Sequence, residues 1–280
     1  MRITSNAGPT PIELEVNDSG GEGRPVVLIH GWPLSAGAWA HQVGPLTDAG
    51  HRVVSYDRRG FGASDKPPAG YEYNTMAGDL DAIMNELDLT DAVVVGFSMG
   101  GGEVARYVGS FGAERLSGAV FASAVPPYLL KSDDNPDGGL AAEDVEGMKS
   151  GLSGDRDGFY SQFAENFYNA DGEVKVDQAE LDTWRELAGP GSTDAALACI
   201  DAFSLTDFRE DLTKFDMPVL VVHGTADAIV PIEVSGNRTA EAIPSSTLVL
   251  IEGGPHGITA SHVEAFNTAL LDFLSGLPEG

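Results

Sequence analysis

Short runs of β-branched and apolar residues recur along the chain, each followed by a stretch with helical spacing. Pro25-Val26-Val27-Leu28-Ile29-His30, Arg52-Val53-Val54-Ser55-Tyr56-Asp57, Val93-Val94-Val95-Gly96 and Ala119-Val120-Phe121-Ala122-Ser123 read as strands. The intervening periodicities predict helices over 38–49, 75–87 and 99–111. Continuously apolar strands alternating with helices predict a mostly parallel central sheet with helices on both faces. Ahead of them, Ile12-Glu13-Leu14-Glu15-Val16 alternates strictly, as an antiparallel edge hairpin with one wet face would.

The rhythm breaks after Pro126-Pro127. From Tyr128 to Asp207 the pattern predicts no strand, only helices near 141–152, 157–168, 178–187 and 193–203. Strands resume at Met217–Gly224 and Ser246–Ile251, and a last helix spans 261–274. The expected organisation is an α/β core from 1–127 and 208–280, with 128–207 inserted as a helical cap.

Strand ends are where a parallel sheet gathers chemistry, and three fall in a telling order. Gly96-Phe97-Ser98-Met99-Gly100 has the form G-x-S-x-G, a strand, a sharp turn and a helix with Ser98 at the apex. In a chain with 35 glycines the pattern is not specific by itself. Asp227 follows the strand that ends at His223, and His256 follows the last strand, in Gly253-Gly254-Pro255-His256-Gly257. Ser, Asp and His in that order predict a nucleophile, an orienting carboxylate and a general base. The oxyanion of such a reaction needs backbone N–H donors. Met99 follows the nucleophile, and Trp32 follows the first parallel strand; Pro33 has no N–H to offer. Pro33 also biases Trp32 towards an extended backbone, which would re-aim the Trp32 carbonyl into the site.

Composition narrows the setting. Forty-three acids against 16 bases, five of them lysine, give a net charge of −27. Such a surface repels nucleic acid and anionic membranes, and it fits either an ordinary acidic protein or one adapted to high salt. No apolar run reaches the length of a membrane span and no signal segment is visible, so a cytoplasmic location is the expectation. Cys199 is the only cysteine, which leaves no intrachain disulfide and no cysteine-built zinc site; its apolar helical surroundings predict buried filler. Asp133-Asp134-Asn135-Pro136-Asp137-Gly138 imitates the start of a calcium loop, with Asp144 at the closing position, but Pro136 and the missing glutamate argue for a solvated acidic loop. His41, His51, His223 and His262 read as structural or surface residues, and neither metal nor cofactor is expected.

Several segments together resemble one family: His30-Gly31-Trp32-Pro33, Asp57-Arg58-Arg59-Gly60-Phe61-Gly62, Gly96–Glu103, Thr206-Asp207-Phe208-Arg209, Asp227-Ala228-Ile229-Val230-Pro231 and Pro255-His256-Gly257. The chain resembles, essentially end to end, the bacterial cofactor-free haloperoxidase and aryl esterase (perhydrolase) group of α/β-hydrolases. The resemblance implies a serine esterase for short-chain or aryl esters, with perhydrolysis of a carboxylic acid by hydrogen peroxide as a side activity. It implies an acyl pocket lined by Trp32, Val125, Phe163, Phe167, Phe203 and Ile229, no cofactor, small-molecule substrates, and a possible homo-oligomer. Serine at the elbow sets aside the dehalogenases and epoxide hydrolases of this fold, which use aspartate there. A lactamase or C–C hydrolase on the same triad remains open, as does a binding or signalling protein on a hydrolase fold.

Overall fold

The computed structural model describes residues 1–278. In chain order the elements are β1 (Arg2–Ser5), β2 (Ile12–Asp18), β3 (Pro25–Ile29), α1 (Ala40–Asp48), β4 (Arg52–Tyr56), α2 (Tyr73–Glu86), β5 (Ala92–Phe97), α3 (Met99–Phe111) and β6 (Leu116–Ala122). A helical segment follows: α4 (Ala142–Gly154), α5 (Arg156–Phe167), a small β7–β8 pair (Asn169–Ala170 and Glu173–Val174), α6 (Gln178–Ala188) and α7 (Thr193–Leu205). The chain then runs through α8 (Arg209–Leu212), β9 (Val219–Gly224), α9 (Gly236–Ala242), β10 (Ser246–Ile251), α10 (Ile258–Ser261) and α11 (Val263–Ser275).

One eight-stranded sheet carries the order β1-β2-β4-β3-β5-β6-β9-β10. β1 and β2 pair antiparallel, β2 joins β4 antiparallel, and every other pairing is parallel. The order reverses direction at β3 and β4, so the strand ends of β3 and β5 open onto one crevice. The centre of the sheet is β5, whose six residues are all buried. Burying each valine of that strand contributes about 1.5–3 kcal/mol; a charged residue at Val94 would forfeit this and strand an ion in the core.

Two expectations need correction. The β7–β8 pair interrupts a segment read as strandless; two-residue strands carry no periodicity for a sequence to show. β10 belongs to the sheet but is not covered on both faces, because it is the last strand: Leu248 is 37% and Leu250 52% exposed. The calcium-like loop has other work. Asp134 pairs with Arg209 at 2.8 Å, Asn135 donates to the carbonyls of Tyr128 and Leu130 and accepts from Arg238, and Asp144 accepts from the backbone of Ala141 at the start of α4. Among the described residues no helix is long and apolar enough to cross a membrane.

Candidate active site

Ser98 stands between β5 and α3 with φ +53°, a left-handed backbone that an L-residue adopts only when its surroundings enforce it. The enforcement is visible. Ser98 N–H donates to Ala122 O at 2.9 Å, and Ser98 O accepts from Gly101 and Val125. A Cβ on Gly96 would lie 2.5 Å from Gly100 O, and one on Gly100 would lie 2.4 Å from Ile29 O. Glycine at both positions lets α3 start directly against β3 and β5, which holds the serine hydroxyl above the sheet.

The other strand ends deliver its partners. His256 Nε2 lies 2.9 Å from Ser98 Oγ, and His256 Nδ1 lies 2.8 Å from Asp227 Oδ2. All three residues are buried, and the imidazole is wedged between the rings of Phe97 and Phe167, with centroids 5.2 and 4.9 Å away. Asp227 Oδ1 accepts from the N–H groups of Ile229 and Val230 at 3.0 and 2.8 Å. Burial alone would raise the Asp227 carboxyl, but the charge of His256, its hydrogen bond and the close His223 imidazole outweigh it and hold the group well below the usual carboxylate range. An ionised Asp227 fixes the His256 tautomer with its proton on Nδ1, leaving Nε2 to accept from Ser98.

Two backbone N–H groups near Ser98 in the chain or in the cavity lining are left without acceptors. Neither Trp32 N–H nor Met99 N–H has a hydrogen-bond acceptor among the described residues. The loop that carries Trp32 is tied down from behind. His30 Nδ1 donates to Gly31 O at 2.9 Å, and His30 Nε2 accepts from the backbone N–H of Arg58 at 2.9 Å. Arg58 also donates to His30 O at 2.6 Å and pairs, fully buried, with Glu103 of α3, which accepts from Tyr56 Oη as well. That network joins the Trp32 loop to the helix carrying Met99, so the two donors are set relative to each other by buried polar bonds. Burial, reinforced by the charge of Arg58, pushes His30 well below the ordinary histidine range, so it is neutral.

A narrow cavity opens from Ser98 and His256, enclosing about 40 Å³ of free space, room for only a few waters. Trp32, Val125, Phe163, Phe203 and Ile229 line it, as the resemblance implied. Phe167 does not: it lies one helical turn beyond Phe163, near the end of α5, and packs edge-on against His256 instead. Leu129, Leu140, Met148 and Val230 complete the wall. The two leucines sit in irregular segments, where no periodicity could announce them. The Trp32 indole donates to Ala196 O at 3.0 Å and takes Phe159, Tyr160, Phe163 and Phe203 edge-on. A larger open groove of about 1030 Å³, among β9, β10 and α11, contains none of the three candidate catalytic residues. Cys199 is buried with its thiol pushed up to about 12, mainly by desolvation.

The alpha/beta hydrolase fold family matches residues 24–262. A non-heme chloroperoxidase of Kitasatospora aureofaciens is 45% identical over 258 residues, covering 91% of this chain and 94% of that protein. The chain belongs to the non-heme haloperoxidase and perhydrolase family of α/β-hydrolases. A bifunctional esterase/perhydrolase of Acinetobacter calcoaceticus is 38% identical, with 94% of this chain and 96% of that protein covered. The solved structure of a bromoperoxidase from Bacillus anthracis superposes with a TM-score of 0.94 at 48% identity, across 98% of this chain and all of that one. The likeness spans core and inserted helices alike, so the protein is an enzyme of this family, and Ser98, Asp227 and His256 are its candidate catalytic residues.

Proposed function

We propose that the protein is a serine carboxylesterase for short-chain and aryl esters that also passes the acyl group to hydrogen peroxide. The observation that carries this reading is the unbroken chain of contacts from Ser98 Oγ through His256 to Asp227, facing a small, mostly apolar cavity. His256 takes the Ser98 proton as Oγ attacks the ester carbonyl, and Asp227 stabilises the imidazolium. The N–H groups of Trp32 and Met99 receive the oxyanion. Collapse expels the alcohol, which takes the proton back from His256, and leaves an acyl group on Ser98. Water then releases a carboxylic acid; hydrogen peroxide, deprotonated by the same imidazole, releases a peracid. Residues 128–207 serve as the cap that excludes bulk water and sets acyl length.

Support for the peroxide branch comes from the relatives' named activities and from Pro33 beside the Trp32 carbonyl. A p-nitrophenyl ester series, run with and without hydrogen peroxide, tests the proposal. The expected result is turnover highest for acetate-length acyl groups, with peracid formed when peroxide is present. Pro33→Leu should lower the peracid-to-acid ratio while leaving ester hydrolysis in place. Absence of ester turnover by folded protein would defeat the reading, and an unchanged ratio in Pro33→Leu would remove proline from it.

A further inference from the structure

Asp227 has a second imidazole beside it, besides the one a triad requires. Its Oδ2 pairs with His256 Nδ1 and also lies 3.3 Å from Nε2 of a second imidazole, His223. His223 belongs to β9, is fully buried, and places the same Nε2 2.9 Å from Val230 O. Both neighbours of Nε2 are acceptors, so that nitrogen carries the proton. The far nitrogen, Nδ1, is buried with no hydrogen-bond partner among the described residues and packs against Gly236 of α9, where a Cβ would come within 2.7 Å of it. A second proton there would be a stranded buried donor. The ring therefore donates through Nε2, and surface or generic structural residue is too weak a description of it.

We propose that His223 is a positioning residue of the active site, whose Nε2–H bonds Val230 O and lies 3.3 Å from Asp227 Oδ2, where its dipole holds that carboxylate oxygen and draws on the charge that also serves the bond to His256. The inference rests on the triad reading above. Its consequence has a definite sign. An oxygen that also faces the positive end of a second N–H stabilises the His256 imidazolium less than one facing His256 alone. Removing His223 should concentrate the charge on His256, favour the imidazolium, and move the acid limb of activity to higher pH. The titratable groups facing Asp227 are His223 from β9 and His256 from the loop after β10, while its other oxygen meets the N–H groups of Ile229 and Val230. His256 in turn faces Ser98 and the rings of Phe97 and Phe167.

The test compares pH profiles of kcat/KM for p-nitrophenyl acetate in the unaltered enzyme, His223→Phe and His223→Gln. In His223→Phe the acid limb should rise by about one half to one pH unit and kcat should fall roughly 3- to 10-fold, with KM unchanged. His223→Gln keeps an N–H near the Nε2 position and should restore the limb. A purely packing role predicts the reverse: a lower kcat with the limb unmoved, or a glutamine variant no better than phenylalanine, and either would overturn the proposal. Independently of any variant, 15N-histidine spectra of the unaltered protein under the assay conditions should show the His223 proton on Nε2, and a ring whose proton sits on Nδ1 instead would also overturn it. If the triad reading itself is wrong, Ser98→Ala will retain activity while the tautomer result stands.

Discussion

The site has two walls built on different physics. The floor, where β3, β5, β9 and β10 end, is polar and hydrogen-bonded: Ser98, His256, Asp227, His30, Arg58 and Glu103 each meet named partners at fixed distances. The roof, from α4, α5 and α7, is mostly apolar: Met148, Phe163 and Phe203 line the cavity, the two phenylalanines meet Trp32 edge-on, and one hydrogen bond, from the Trp32 indole to Ala196 O, ties it to the loop below. The floor positions atoms to within a hydrogen bond, whereas the roof sets how much volume remains. Reactivity should therefore be brittle to changes in the floor, and acyl-length preference should be adjustable in the roof with the chemistry left intact.

The contrast can be broken most forcefully at Asp227. Asp227→Asn keeps the shape but loses the charge and the tautomer control over His256, and kcat should fall on the order of 10³- to 10⁴-fold. A loss under tenfold would mean that the floor is not the reactive wall. In the roof, Phe163→Ala should leave kcat for acetate esters within about threefold and improve kcat/KM for longer acyl chains roughly tenfold, the scale at which hydrophobic pockets discriminate. Should Phe163→Ala instead abolish turnover of every ester, volume and reactivity would not be separable.

A third difference is smaller and concerns pH. Every histidine lies outside residues 128–207. His30, under the floor, is held neutral in the folded protein, below the 6.5 of an unfolded histidine. Its contribution is therefore present above pH 6.5 and is lost as pH falls below it, at a slope of up to about 1.4 kcal/mol per pH unit. Thermal melts between pH 7.5 and 5 should show this decline, and His30→Asn should flatten part of it even though its starting stability is lower. An identical slope in the variant would remove His30 from the account.

The floor was the more legible wall. Turn glycines and a serine after a valine run mark Ser98, and Asp227 and His256 follow later strand ends because parallel topology collects such loops on one side. The roof's aromatic helix was visible as a stripe, but its assignment to a pocket came from resemblance, and Phe167 shows the limit: one helical turn separates a residue that lines the cavity from one that packs the His256 imidazole. His223 was missed for a different reason. As the penultimate residue of a buried strand it looks like any satisfied core histidine, and only three-dimensional proximity puts its Nε2 beside Asp227. Nor could the chain show that β10 ends the sheet, because edge position depends on which strands pair.

The central claim is that Ser98 carries the acyl group. Mass spectrometry of protein quenched during turnover of p-nitrophenyl acetate, or labelled with a fluorophosphonate, tests it directly. The account predicts a single adduct on the peptide containing Ser98, lost together with ester turnover in Ser98→Ala. An adduct on another residue, or turnover persisting in folded Ser98→Ala, would contradict it.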